Sequence, residues 1–276
     1  LLCKISELFN YKKGKSNHIA FYGKGKYLVV GGFFDGKLAL ITMDSHLQLT
    51  ETPPSFDPSP VTSIEIDKNE EFLFAGNTQG NVSVFSINGS EWKLYKMINH
   101  CMDNINSIIC SNELNLWGTT SADGYYNIYT LPACKLIRSV KLEDNKVGDY
   151  IFLSSCPLPC SVIISNEENN WEIFVYTING HLHRRQKELN SIKSPIIMKN
   201  LNSNEFLAYV LKDKIYIRSL PYLYMEVTVD LTCEVSQIVL SENSTVLYGV
   251  SPDGMDVTVI KVQGGEESVD NGQQII

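Results

Sequence analysis

The residues that could do chemistry are few, and each lacks a partner that its chemistry needs. Lys12-Lys13-Gly14-Lys15-Ser16 ends like a phosphate-binding loop. Such a loop requires a glycine five positions before Gly14 and a helix after the serine, whose first N–H groups cradle the phosphate. Phe9 stands at the glycine position and strand-forming residues follow. Cys156-Pro157-Leu158-Pro159-Cys160 offers two thiols, whereas a zinc site wants four ligands, usually as two close pairs. No second pair exists, so a loop between strands is the expected reading. His181-Leu182-His183 would put two imidazoles on one face of a strand, but Arg184, Arg185 and Lys187 beside them read as a solvated outer strand. Hydrolysis by a serine or cysteine needs a histidine and an orienting acid. None of the five histidines, His18, His46, His100, His181 and His183, stands in a nucleophile context. Ser121-Ala122-Asp123 begins like an Asp box of propeller glycosidases, but Tyr125 occupies the required glycine position. No catalytic residue, metal or cofactor is expected, and the chain reads as a non-enzyme.

Charge narrows the partners. The 276 residues carry a net charge of -8, which argues against nucleic acid, since phosphate binding needs a positive face. Lys12, Lys13, Lys15, Lys24 and Lys26 form the one dense basic cluster. It could touch an anionic membrane at about 1 kcal/mol per residue near the surface. It lacks interleaved apolar anchors, so an ordinary solvated loop competes with that reading. Seven cysteines without a regular framework fit reduced thiols and a cytoplasmic location. No apolar run approaches the roughly 18 residues of a membrane span, so any membrane association is expected to be peripheral. The chain opens on Leu1 rather than methionine and reads as a piece of a longer polypeptide.

The elements that must position these residues repeat. Six segments share a short apolar strand, a break, a second apolar strand, a tight turn and an alternating strand. Tyr27–Gly32, Phe72–Asn77 and Leu114–Thr120 each lead through a Gly-containing turn into Lys37–Met43, Asn81–Ile87 and Tyr125–Leu131. Three weaker copies end at Ile178, Leu220 and Val262, and successive ends lie 44, 44, 47, 42 and 42 residues apart. A period of roughly 40–45 residues with four strands per unit predicts an all-β β-propeller. A four-stranded sheet cannot bury both faces alone, so such sheets stack as blades and cover one another. Leading strands are expected at Val61–Ile66, Ile105–Cys110 and Asp149–Leu153, and solvated outer strands at Leu94–Ile98, Lys135–Leu142, Leu182–Leu189 and Met225–Leu231.

Six blades are visible over residues 1–262, followed by a polar acidic tail, residues 263–276. The sixth unit lacks an outer strand and Leu2–Phe9 reads as an orphan strand, so their pairing is expected to close the ring. A seven-bladed ring with most of its first blade upstream of Leu1 is the alternative. Phe33, Phe34 and Asp35 lie at a strand-to-turn corner, and Gln79, Asp123, Tyr125 and Asp253 lie near the corresponding turns of other blades. Together they form the expected partner-binding rim. Aromatics dominate interfaces but also fill cores, and the carboxylates also suit turns.

Ile105–Glu143 resembles a WD40 repeat. The tetrad of such repeats would map onto His100, Ser121, Asp123 and Tyr129, with Tyr129 in place of tryptophan and one extra residue between His100 and Ile105. More narrowly, three ordered motifs resemble the C-terminal WD40 region of BEACH-domain proteins, the neurobeachin and beige group. They are Gly31-Gly32-Phe33-Phe34-Asp35, Ser111–Asn115 with Ser121–Gly124, and Phe174–Leu182. This resemblance implies a cytoplasmic protein-interaction scaffold in membrane trafficking, peripheral on endosomal or vesicle membranes. It also implies protein partners that include an upstream BEACH domain of the same polypeptide. The alternatives are a WD40 propeller of a vesicle coat, ciliary transport complex or ubiquitin-ligase adaptor, or a phosphoinositide-binding propeller using the lysine cluster.

Overall fold

The computed structural model describes residues 18–31, 38–42, 48–51, 59–168, 170–200, 203–231, 233–241, 246–252 and 257–261. These residues form six small antiparallel sheets, the blades of an all-β β-propeller fold, and the one helical element among them is the 3-10 turn Glu143–Asn145. The chain falls into two compact units, Leu1–Leu189 and Asn190–Ile276.

The first unit holds four blades. Blade 1 comprises β1 (His18–Tyr22), β2 (Tyr27–Gly31), β3 (Ala39–Thr42) and β4 (Gln48–Glu51). Blade 2 comprises β5 (Val61–Ile66), β6 (Phe72–Asn77), β7 (Val82–Asn88) and β8 (Glu91–Ile98). Blade 3 comprises β9 (Ile105–Ser111), β10 (Leu116–Ser121), β11 (Tyr125–Thr130) and β12 (Leu136–Lys141). Blade 4 comprises β13 (Gly148–Ser154), β14 (Cys160–Glu167), β15 (Asn170–Thr177) and β16 (Leu182–Glu188). The second unit holds blade 5, with β17 (Lys193–Lys199), β18 (Glu205–Leu211), β19 (Lys214–Ser219) and β20 (Met225–Asp230). It also holds the three described strands of blade 6, β21 (Gln237–Leu240), β22 (Val246–Val250) and β23 (Val257–Lys261). Each blade is a meander, so consecutive strands pair and only tight turns are needed. The expected closing strand Leu2–Phe9 and the tail 263–276 lie outside the described residues.

Burial explains the strand composition. In blades 1 to 5 the second and third strands are largely covered on both faces and read as near-continuous apolar runs, as in Leu73–Phe74–Ala75 and Val162–Ile163–Ile164. Blades 1 and 2 meet through Val29, Leu40, Leu73 and Phe85. Their hairpins are also tied by Trp92, whose indole N–H donates to Tyr22, whose hydroxyl donates to the Gly89 carbonyl at 2.8 Å. Blades 2 and 3 meet where the ring of Phe74 lies 4.8 Å from that of Trp117. Blades 3 and 4 bury Tyr126, Ile128, Ile151 and Phe174. In the second unit, Val210, Ile215, Ile238 and Leu247 join blades 5 and 6.

Two irregularities repeat with the blades. The inner strand bulges at Thr62, Asn106, Asp149 and Ser194-Pro195, where its register against the second strand shifts. Three of these bulges send a side chain to the next inner strand. Thr62 donates to the Ile105 carbonyl at 2.6 Å, Asn106 to that of Gly148 at 3.0 Å, and Ser194 to that of Ile238 at 3.2 Å. The outer strand bulges at Tyr95, Ile137, His183 and Glu226. The second bulge corrects one expectation. β16 begins at Leu182, so His181 lies in the preceding turn and His183 is itself the extra residue, which removes the simple two-residue alternation between them.

Candidate functional site

The turns at the two ends of each blade differ. Turns between first and second strands are braced to one another across blades. The N–H of Gly23 donates to Glu70 at 2.9 Å, that of Lys68 to Asn112 at 2.9 Å, and the Ser155 hydroxyl to Glu113 at 2.6 Å. Asp67 is 1% exposed and accepts from the N–H groups of Asn69, Glu71 and Phe72 and from the Asn112 side chain. These side chains are consumed by the frame. Lys24 and Lys26 sit on the same type of turn in blade 1, with the Lys26 ammonium 5.2 Å from the Tyr27 ring centre. Lys12, Lys13 and Lys15 lie outside the described residues.

At the opposite strand ends, the turns between second and third strands meet the loops that lead into the next blade. Gly80 and Gly124 hold φ of 80° and 83°, which the Gln-Gly and Asp-Gly pairs supply. A Cβ on Gly80 would lie 2.5 Å from the Cys101 carbonyl oxygen, and one on Gly124 would lie 3.0 Å from that of Lys146. The turns thus tuck directly against the loops Asn99–Asn104 and Leu142–Val147. Asn77 shapes the blade 2 turn by accepting from the N–H groups of Gln79 and Asn81, and leaves Gln79 exposed.

Blade 3 builds the same turn around Asp123. One carboxylate oxygen accepts from the Ser121 hydroxyl and from the Tyr125 N–H at 3.1 Å. The other accepts from the Met102 N–H at 2.9 Å. A single carboxylate therefore fixes two hydrophobic side chains at the surface. Met102 is 92% exposed and Tyr125 37% exposed, with the Lys141 ammonium 6.0 Å from the tyrosine ring centre. Sequence reasoning placed Asp123 and Tyr125 on this rim and missed Met102. The signal was an apolar side chain in the polar loop Asn99–Asn104. Phe33, Phe34, Asp35 and Asp253 lie outside the described residues.

The tetrad positions divide differently from the repeat pattern. Ser121 bonds Asp123, and Tyr129 is buried, stacked between Trp117 at 4.2 Å and His100 at 5.6 Å. His100 is exposed, and the buried polar contacts beside Tyr129 are made by Cys101. The Asn127 side-chain N–H points to the Cys101 sulfur at 3.2 Å, and Thr119 lies 4.0 Å from it. Burial pushes the Cys101 thiol above its ordinary value, against hydrogen bonds from Ser121 and Thr119, so this thiol is not an activated nucleophile. Burial likewise raises the Tyr129 phenol. Cys156 is partly exposed in the loop before β14 and Cys160 is buried at its start.

No protein-family profile matches the chain, and no curated protein is similar to it.

Proposed function

We propose that the chain is a non-enzymatic protein-docking scaffold. Its partner rests on the face made by the second-to-third-strand turns and inter-blade loops of blades 2 to 4. The observation that carries this reading is Asp123 holding Met102 and Tyr125 outward. An exposed methionine and tyrosine on a rigid frame form an anchor pair of the kind that dominates interface energetics. Gln79 shares the face and supplies polar contact at its rim. The more specific reading, a C-terminal propeller of a BEACH-type trafficking protein, rests on the resemblance of the three sequence motifs. In that reading the partners include an upstream BEACH domain, and the protein works in the cytoplasm on vesicle or endosomal membranes.

Affinity capture from cytosolic extract, compared among wild type, Met102→Asp, Tyr125→Ala and the opposite-face control Lys68→Ala, tests the docking face. Partners lost from the first two variants and kept by Lys68→Ala support it. Capture that is the same in all four overturns it. Calorimetric titration of the chain with a recombinant BEACH domain tests the narrower reading, and heats equal to dilution would remove it.

A further inference from the structure

The outer-strand bulge occurs at one register in blades 2, 3 and 4. It falls where the facing third strand passes from Val84 to Phe85, from Ile128 to Tyr129 and from Val175 to Tyr176. The extra residues are Tyr95, Ile137 and His183, and each is followed by a cation, Lys96, Arg138 or Arg184. Tyr95 is 50% and Ile137 37% exposed, and Leu136 beside it is 41% exposed. His183, Arg138 and Arg184 are exposed as well. Blade 5 has the same bulge with Glu226 and Val227 in these places. The bulge therefore belongs to the fold, whereas the apolar or aromatic side chain followed by a cation does not.

The three strands form a continuous strip. The Lys96 ammonium donates to the carbonyls of Ala133 and Cys134, at 3.2 and 2.9 Å, in the turn that enters β12. Gly180, in the turn that enters β16, packs against Val140 of β12. Strands β8, β12 and β16 carry seven lysines and arginines against two glutamates, in a chain whose net charge is -8. Arg185 and Lys187 are paired with Glu172 inside blade 4, and Lys141 faces Tyr125. The repeated cations Arg138 and Arg184 have no carboxylate within salt-bridge range among the described residues.

We infer that this strip docks the protein on an anionic bilayer. Cations interleaved with exposed aliphatic and aromatic side chains are the combination that binds such a surface, with charge attracting lipid headgroups and apolar groups entering the headgroup boundary. The aliphatic pair Leu136-Ile137 beside Arg138 favours a lipid surface over nucleic acid, whose bases call for flat stacking partners. The strip lies along strand edges, whereas Met102 and Tyr125 lie at strand ends. It differs also from Lys24 and Lys26, which sit on a first-to-second-strand turn.

The test is co-sedimentation of the whole chain with vesicles of phosphatidylcholine alone or mixed with phosphatidylserine. The expected result is binding at low salt to the anionic vesicles only. Each cation removed should lower partitioning about five-fold, so the double reversal Arg138→Glu/Arg184→Glu should lower it by about twenty-five-fold or more. Ile137→Ser should weaken the binding that remains at higher salt, and Met102→Asp should leave vesicle binding unchanged. Thermal unfolding midpoints equal to wild type show that the variants are folded. Equal sedimentation with both vesicle types, or undiminished binding by the double reversal, overturns the inference. Binding to single-stranded RNA or polyglutamate without binding to vesicles also overturns it, in favour of a different partner.

Discussion

Thr62 Oγ1 lies 2.6 Å from the backbone carbonyl oxygen of Ile105, and the bond joins the inner strands of blades 2 and 3 at the point where each strand bulges. The bulge is the cause. It lifts one residue out of the regular pairing within its own blade and aims its side chain at the neighbour. Asn106 and Ser194 use the same displacement, and the bulges recur 43 to 45 residues apart. Asp149 occupies the same place in blade 4 and instead accepts from the Asn166 N–H at 2.7 Å. Burial raises its carboxyl above the ordinary value, against that hydrogen bond.

Replacing Thr62 by valine keeps the branched shape and removes the donor. The Ile105 carbonyl then loses a partner in a partly buried setting, which costs about 1–3 kcal/mol. Urea unfolding should report that loss for Thr62→Val. The similarly sized change Thr78→Val, at a half-buried position of the neighbouring turn, should leave stability within about 0.5 kcal/mol.

Asp67 should be more costly to remove than Asn112, its partner in blade 3. Three backbone N–H groups and the Asn112 amide converge on its carboxylate, at 2.6 to 3.1 Å. Asp67→Ala leaves all four donors without that acceptor, whereas Asn112→Ala removes one of them, together with the acceptor of the Lys68 N–H, and leaves the turn's own bonds to Asp67 intact. Charge-assisted bonds of this kind contribute about 1.5–3 kcal/mol each when deleted singly. The expected order of unfolding free energies is wild type, then Asn112→Ala, then Asp67→Ala. Equal losses for the two variants would show that the bridge to blade 3, rather than the turn, is what Asp67 holds.

The blades themselves were legible because their signal is periodic. Asp-Gly and Gln-Gly turns and alternating third strands recur at nearly constant spacing, and the observed turns hold the positive φ those pairs permit. The bulges were not legible, because Thr62, Asn106, Asp149 and Ser194 differ in type and share only a position. A displaced residue needs some polar reach, and several side chains provide it. β4 was missed because Gln48–Glu51 has no apolar run. His100 was legible as a histidine before a strand, but the adjacent Cys101, a small thiol with no motif of its own, is the residue that is buried. Met102 escaped because an apolar residue in a loop has no periodic partner.

Glu65 predicts a pH dependence with a definite sign. Its carboxyl accepts from the Cys110 N–H across the interface of blades 2 and 3 at 3.4 Å. Burial pushes its pKa up to about 8 from an ordinary 4.5, partly offset by that hydrogen bond, and the neighbouring Asp67 charge adds to the rise. The folded state thus holds this proton more tightly than the unfolded chain does. The stability it contributes is complete below pH 4.5 and is lost as pH rises through about 8. Glu65→Gln keeps an acceptor oxygen without the ionisation. In denaturant titrations the variant should match wild type near the acid end of that range and exceed it increasingly toward the alkaline end. A difference that stays constant with pH would show that Glu65 does not titrate within this window.

Arg185 predicts the opposite trend. Its guanidinium donates to Glu172 at 2.6 Å, lies 2.8 Å from Asp144 of the turn entering blade 4, and covers the Phe174 ring at 5.2 Å. Burial alone would raise the Glu172 carboxyl, but the Arg185 hydrogen bond and the charges of Arg185 and Lys187 outweigh it and hold the pKa below the ordinary value. Glu172 therefore contributes stability above its unfolded pKa and loses it as pH falls through the lower folded value. Arg185→Met keeps the packing on Phe174 and strips the charge. It leaves a nearly buried carboxylate with only the solvent-exposed Lys187 as its remaining ion-pair partner on the strand. At neutral pH the loss should be about 3 kcal/mol, in the range for breaking a buried pair. As pH falls, Glu172 in the variant can take up a proton and shed the cost of a buried charge, so the gap from wild type should narrow. A gap that is independent of pH would assign the loss to packing on Phe174 rather than to the ion pair.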